Sequence, residues 1–270
     1  MYCDGRPGMH LPDPSGADVV GILLLHIVAV VPTYNEAENL PGLISALFGL
    51  SLDLDVLVVD DNSPDGTAMV AEQLAERQPR IHILRRHAKE GLRSAYLAGF
   101  RQALASGADA VVQMDADLSH DPYRIPEMVE RLQTSDVVLG SRYVAGGSVD
   151  RDWPQWRQAL SAFGNRYART ILGVGTSDLT TGFRLWRRST LGGMPLDRIR
   201  SNGYVFLVEM AYLANCLEYR IGEVPIHFKE RRHGRSKMSF GIQVEAALRI
   251  WQVWWQYRDL RKQGRAARLS

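Results

Sequence analysis

An α/β fold, with a mostly parallel sheet and helices on both faces, is what this sequence predicts, and three observations predict it. Short runs rich in Val and Ile recur along the first half, amphipathic stretches separate them, and acidic residues collect directly after three of the runs. Strands alternating with helices in this way imply βαβ units and parallel pairing.

The runs are Ile27–Val31, Val56–Val59, Ile81–Leu84, Ala110–Met114 and Val137–Leu139, continuous enough to be strands buried on both faces. Between them, Leu40–Leu50, Thr67–Gln78, Leu92–Ser106 and Arg124–Gln133 carry helical periodicity. Past residue 150 the alternation fades. Trp153–Thr170 and Asn202–Ala214 read as helices and Tyr219–Val224 as a strand, followed by a basic loop and a last amphipathic helix from Ser239 to Arg261. The expected organisation is an extension over residues 1–26, one α/β domain over 27–238, and a C-terminal helix with a basic tail over 239–270.

Bulk properties narrow the class. The chain has 270 residues, 46% hydrophobic and 23% charged, enough to bury a sizeable core. A net charge of +2 gives no reason to expect a nucleic-acid partner. Two cysteines, Cys3 and Cys216, make neither a disulfide framework nor a metal-ligand spacing, so a reducing compartment is expected. The longest apolar run, Val19–Val31, is broken by Gly21 and His26 and falls short of the roughly 18–20 residues that span a bilayer. Asp4, Asp13 and Asp18 ahead of it argue against a signal peptide.

In parallel sheets ligands bind outside the carboxyl ends of the strands, so the loops after the strands matter most. The first strand runs into Pro32-Thr33-Tyr34-Asn35-Glu36, and Pro41 places the following helix start near an Asn39 cap. The second runs into Asp60-Asp61-Asn62-Ser63-Pro64-Asp65-Gly66-Thr67, and the fourth into Asp115-Ala116-Asp117. Two carboxylates one residue apart on a sheet rim can share a hard cation such as Mg²⁺ or Mn²⁺, which keeps positions open for phosphates. An acidic turn facing water is the plainer alternative. Asp60 and Asp61 can serve as turn and cap residues. Their mutual repulsion nonetheless favours a ligand, and a carboxylate accepting from a nucleobase suits one of them. The loop Lys229-Glu-Arg-Arg-His-Gly-Arg-Ser-Lys237 gathers cations suited to phosphate around a glycine. His87, His120, His227 and His233 have no ligand spacing and read as structural or solvated, and Trp153 and Trp156 read as packing residues.

Taken together, Val31-Pro-Thr-Tyr-Asn-Glu, Val59-Asp-Asp-Asn-Ser-Pro-Asp-Gly-Thr and Met114-Asp-Ala-Asp-Leu-Ser-His-Asp-Pro resemble the family-2 glycosyltransferases of the GT-A fold. Within these the chain is most similar to polyprenol- and dolichol-phosphate mannose synthases of actinobacterial type. The likeness continues through Gly140-Ser-Arg-Tyr-Val-Ala-Gly-Gly, Asp178-Leu-Thr-Thr-Gly-Phe-Arg, Gly203-Tyr-Val-Phe and Phe228–Lys237.

The resemblance implies GDP-mannose as donor, a polyprenyl phosphate lipid as acceptor, and Mg²⁺ or Mn²⁺ as cofactor. It implies that Pro32, Tyr34, Glu36, Asp60 and Asp61 shape the nucleotide pocket, and that Asp115, Ala116 and Asp117 form the motif for metal and diphosphate. It places Arg142, Arg231, Ser236 and Lys237 at phosphate, and Asp178, Thr181, Gly182 and Arg184 along the sugar site. Asp117, Arg142, Arg231 and Lys237 are the set expected to carry the transfer. Two positions depart from the pattern. Arg93 stands where relatives often have a small residue, which is expected to alter the helix start near the donor. Arg235 stands where many relatives have an acid.

A lipid acceptor implies a peripheral position on the cytoplasmic face of the cell membrane, or a separate membrane-anchoring protein. Phe240, Val244, Ala247, Ile250 (or Trp251), Trp254 and Tyr257 repeat at helical spacing, widened by Trp255. Arg258, Arg261, Lys262, Arg265 and Arg268 follow. The stripe fits a bilayer interface or the protein's own core. Three rivals remain to be compared with this reading. A UDP-sugar donor leaves the chemistry unchanged, and a non-catalytic subunit of the same fold conflicts with the intact acidic and basic residues. A dinucleotide-binding dehydrogenase fails because no glycine-rich turn follows the first strand.

Overall fold

The computed structural model describes residues 25–150, 153–229 and 240–261. Residues 1–24 of the expected extension lie outside these, as does the basic loop with Arg231, Ser236 and Lys237 and the altered position Arg235.

Each Val/Ile run forms a strand: β1 (Ile27–Thr33), β2 (Leu54–Asp60), β3 (Ile81–Arg85), β4 (Ala110–Gln113) and β5 (Val137–Ser141). The intervening helices are α1 (Leu40–Phe48), α2 (Thr67–Arg77), α3 (Leu92–Ala105) and α4 (Ile125–Leu132). The later part contributes β6 (Ser148–Val149), α5 (Gln155–Leu172), β7 (Arg184–Arg187), α6 (Arg188–Gly193), α7 (Gly203–Cys216), β8 (Ile221–Pro225), β9 (His227–Phe228) and α8 (Phe240–Gln256).

The main sheet runs β3-β2-β1-β4-β7-β5-β8. β1 pairs in parallel with β2 and β4, and β5 in parallel with β8. β7 lies antiparallel between β4 and β5, with Gln113 opposite Arg184 and Leu139 opposite Arg184 on its other side. Nothing in the Val/Ile pattern predicts that strand. Its insertion brings the segment before it, residues 178–183, up beside the carboxyl end of β4.

Two apolar layers flank the sheet. On one face Val28, Val30, Val59 and Val111 pack with α3, α7 and the inner side of α8. On the other, Ala29, Val31, Val58 and Val112 pack with α1 and α4. α3 lies close against β1 and β2 at Gly99, where a Cβ would stand 2.4 Å from Val30 Cγ1 and 3.0 Å from Val59 Cγ2. That approach seats the amino end of α3 beside the ends of β1, β2 and β4.

α8 splits the predicted stripe. Ile250, Val253 and Tyr257 are buried in the core, whereas Leu248, Trp251 and Trp255 face outward. The phase that begins on Ile250 faces the protein, and the one through Trp251 faces solvent. The side chains of Phe240 and Val244 lie outside the described set. Trp153 is buried edge-on to Phe228, as a packing role requires, but Trp156 is exposed, contrary to expectation.

Candidate active site

Three loops meet at the carboxyl ends of β1, β2 and β4, and each contains a non-glycine residue in the left-handed region: Asn35 at φ 63°, Asn62 at 59° and Leu118 at 60°. Such conformations persist where surrounding contacts over-determine them. Here those contacts stitch the first loop to the second. Asn35 N donates to Ser63 Oγ at 3.1 Å, Glu36 N to Thr67 Oγ1 at 3.0 Å, and Ala37 N to Asp65 Oδ2 at 3.1 Å. Asn39 stands at the start of α1 without capping it through its side chain. Its Nδ2 instead donates to Glu36 Oε2 at 2.7 Å and fixes that carboxylate.

Asp60 and Asp61 are both buried. Asp60 accepts from Thr33 Oγ1 at 3.1 Å, Ser63 Oγ at 2.5 Å and Ser63 N at 3.0 Å. Asp61 pairs with the nearly buried Arg86 and accepts from Gly91 N at 3.0 Å. Arg86 continues to Glu90 and to Ser94 Oγ at 2.6 Å. The protein's own donors thus offset part of the repulsion between the two carboxylates. Asp60 Oδ1 is filled by two hydroxyls, whereas Asp60 Oδ2 and each Asp61 oxygen accept one of these bonds and can accept another. Arg86 itself reads in the sequence as one of several loop cations, and only its partner marks it out. Beside it, the Lys89 ammonium lies 3.3 Å from the centre of the Tyr34 ring, near Pro32. Arg93 does not point at this loop. Its guanidinium donates to the carbonyls of Ile199 and Arg200 at 3.3 and 3.1 Å, correcting the expectation that it alters the donor side.

The third loop holds Asp115, Ala116 and Asp117. Asp115 Oδ1 accepts from Tyr96 Oη at 3.0 Å, and its N donates to His120 Nδ1 at 3.2 Å. Asp117 Oδ1 accepts from Ser119 N at 3.1 Å and Ser119 Oγ at 2.6 Å. His120 is buried and stacks on Phe183 at 5.3 Å, a structural histidine that also anchors the motif.

Gly182 closes the loop from the far side. A Cβ there would lie 3.5 and 3.6 Å from the Asp115 oxygens and 3.2 Å from His120 Cε1. The absent side chain leaves room in front of the carboxylate. No third His, Cys, Asp or Glu joins Asp115 and Asp117 among the described residues. Two carboxylates with open space fit a hard divalent cation whose other ligands are phosphate oxygens and water.

The basic and sugar-site residues behave differently. Arg142, expected at a phosphate, is buried and clamps Asp178: Nε to Oδ2 at 2.7 Å and Nη2 to Oδ1 at 2.8 Å, with Thr180 Oγ1 at 2.6 Å. Burial opposes both charges, but their mutual attraction outweighs it: Asp178 is held below its ordinary value and Arg142 above its own. Asp178 N and Ser177 N in turn donate to Glu223, and Leu179 N to Asn165 Oδ1.

Arg184 is fully buried and donates to the carbonyls of Thr181 and Leu179, each at 3.0 Å. Burial pulls its guanidinium down to about 9, which leaves it charged at neutral pH. Arg184 therefore supports the 178–184 segment from beneath instead of lining a cavity. Thr181 is also buried, and its Oγ1 accepts from Phe183 N at 3.2 Å. Of the four expected sugar-site residues, Gly182 is the one placed directly against the acidic motif.

A match to the family described as "Glycosyl transferase family 2" covers residues 28–192. The chain is 45% identical to an undecaprenyl-phosphate mannosyltransferase of Micrococcus luteus over 226 residues, 84% of this chain and 93% of that one. It is 42% identical to a polyprenol monophosphomannose synthase of Mycolicibacterium smegmatis over 225 residues, 83% and 84% of the two chains. Among solved structures, glucosyl-3-phosphoglycerate synthase from Mycobacterium tuberculosis, in complex with Mn²⁺, UDP and glucosyl-3-phosphoglycerate, superposes with a TM-score of 0.63. That pair is 18% identical, with 94% and 86% of the chains covered. A mannosyltransferase from Pyrobaculum calidifontis in complex with GDP-mannose and Mn²⁺ gives 0.57 at 20% identity, with 90% and 65% covered. At such identities the structural likeness is one of fold.

Proposed function

Because the chain belongs to glycosyl transferase family 2, we propose that this glycosyltransferase moves mannose from GDP-mannose to a polyprenyl phosphate, giving a lipid-linked mannose donor. The observation that carries the reading is identity of 42–45% with an undecaprenyl-phosphate mannosyltransferase and a polyprenol monophosphomannose synthase, over most of all three chains. The acidic rim supports it, since Asp115 and Asp117 stand where a nucleotide diphosphate can share a cation.

The lipid phosphate is already an anion near neutral pH, so transfer needs alignment and charge neutralisation more than a general base. Pro32, Tyr34, Glu36, Asp60 and Asp61 cradle the nucleoside. Asp115 and Asp117 hold a divalent cation, Mg²⁺ or Mn²⁺, which when bound neutralises the leaving diphosphate. Arg231, Ser236 and Lys237 meet the acceptor phosphate. Arg142, locked to Asp178, braces the segment that carries Gly182. A single displacement inverts the anomeric centre, so an α-linked donor gives a β-linked mannosyl phosphate.

The enzyme works peripherally on the cytoplasmic face of the cell membrane. No helix among the described residues is long and apolar enough to cross a bilayer. α8 instead presents Leu248, Trp251 and Trp255 outward, and α5 adds Trp156 and Phe163. Trp251 Nε1 donates to Tyr167 Oη at 2.9 Å, joining the two helices. Arg258 lies 3.7 Å over the Trp255 ring, and an open groove of about 710 Å³ runs between Arg198, Trp251, Trp255 and Arg258. Exposed tryptophan beside cations suits an anionic bilayer interface.

The test is transfer of radiolabelled sugar to a polyprenyl phosphate, with Mg²⁺, Mn²⁺ or chelator and with GDP-mannose beside UDP-glucose. Cation-dependent mannolipid from GDP-mannose is expected. Product only from UDP-glucose overturns the donor, and none from either overturns the reading. With acceptor in anionic vesicles, replacing Trp251 and Trp255 together by Ser is expected to slow transfer about tenfold, an estimate from the apolar area withdrawn. In detergent the same variant is expected to match the parent, and equal rates in vesicles remove the membrane role of this face.

A further inference from the structure

Tyr96 projects from α3 into the sheet-facing core and has no exposed surface. Its ring stacks against Phe100 at 5.6 Å and Phe206 at 6.0 Å. A buried phenol requires a hydrogen-bond partner. Here that partner is Asp115 Oδ1, 3.0 Å away, a carboxylate of the acidic motif on the neighbouring strand end.

We propose that Tyr96 is a positioning residue for the divalent-cation site, its hydroxyl holding one Asp115 oxygen so that the carboxylate is presented toward Gly182. This rests on the reading of Asp115 and Asp117 as cation ligands.

Three features converge on that carboxylate. Tyr96 fixes Oδ1 from the α3 side. His120 Nδ1 fixes the backbone N–H of the same residue at 3.2 Å. Gly182 keeps the far side open, since a Cβ there would stand 3.5 Å from Oδ2. Leu118, three residues on, sits in the left-handed region at φ 60°, a conformation its own preference does not favour. A donor on one oxygen fixes the orientation of the carboxylate, which is what an outer-shell partner of a cation ligand does. In the sequence, Tyr96 reads as one more core position of an amphipathic helix.

The experiment is Mn²⁺ titration of the full chain in the presence of GDP, following the electron paramagnetic resonance of free Mn²⁺. Tyr96→Phe keeps the stacked ring and removes only the hydroxyl. The dissociation constant for Mn²⁺ is expected to rise about tenfold, at the lower end of what loss of an outer-shell partner produces. GDP affinity without cation and the melting temperature should stay close to those of the parent. In an Asp115→Asn background the same change should add nothing. Gly182→Ala, whose methyl would press at 3.2 Å on His120, the anchor of the Asp115 N–H, is expected to weaken Mn²⁺ as well. A Tyr96→Phe constant within twofold of the parent, or full additivity with Asp115→Asn, overturns the proposal. A parent chain that binds no Mn²⁺ with GDP overturns the cation reading itself, and this inference with it.

Discussion

At the ends of β2 and β4, four carboxylates sit at the rim of the sheet, held by hydroxyls, backbone N–H groups and Arg86. Further along the chain, Arg142 and Asp178 close on each other in the interior, with side-chain exposures of 7% and 0%. The rim partners are hydroxyls, backbone N–H groups and one guanidinium, and each of these donors reaches a single oxygen of its carboxylate. The interior partners consume each other's geometry, two parallel N–H···O bonds in a bidentate pair. Both regions carry charge, and in the proposed function only the first meets a ligand with it. The second uses it as a brace between the loop after β5 and the segment before β7.

That contrast is sharpest at Asp117. Asp117→Asn keeps an oxygen for Ser119 N and removes the charge, so the turn should survive. Transfer is expected to fall by about a hundred- to a thousandfold, the scale for losing one electrostatic contact to a developing charge, with an unchanged melting temperature. A rate within tenfold of the parent would place the chemistry away from this rim.

The reverse is expected at Asp178. Asp178→Asn strands a buried guanidinium, which destabilises by about 3–5 kcal/mol, read as a lower denaturation midpoint. The pair also sets a pH dependence. Asp178 titrates below its ordinary 3.8 in the folded chain, so its contribution is complete above that value. It is lost as pH falls through the lower folded value. Acid unfolding of the parent should therefore include a leg below pH 3.8 that the variant lacks. A variant with parental stability and a hundredfold loss of transfer would move Arg142 and Asp178 to the rim class.

How much of this could be read in advance follows the same division. β1 to β5 and α1 to α4 were legible because doubly buried strands need continuous Val/Ile runs and one-sided helices need a 3.6-residue period. The acidic loops were legible because chemistry in a parallel sheet gathers at strand ends. β7 was not. Arg184-Leu-Trp-Arg offers no apolar run, its arginine is buried against carbonyls, and its partners Ala110–Gln113 lie some seventy residues earlier. Tyr96 and Arg86 were missed for a related reason, since each looks ordinary until its partner is known. In α8, aromatic residues on adjacent faces left the phase ambiguous between Ile250 and Trp251, and packing against α5 and α7 decided it.

Arg93 offers the smallest test. In the sequence it stood near the donor, beside Gly91 whose N–H reaches Asp61. In the fold its guanidinium turns to the carbonyls of Ile199 and Arg200. The backbone N–H groups of Arg200 and Ser201 are held in turn by the buried Glu209, which also accepts from Tyr257 Oη at 2.8 Å. Arg93 thus belongs with the braces and not with the rim. Arg93→Ser is expected to cost about 1 kcal/mol, the net worth of partly exposed hydrogen bonds, and to leave the KM for the nucleotide sugar unchanged. A threefold or larger rise in that KM at parental stability would return Arg93 to the donor side and blur the division between the two regions.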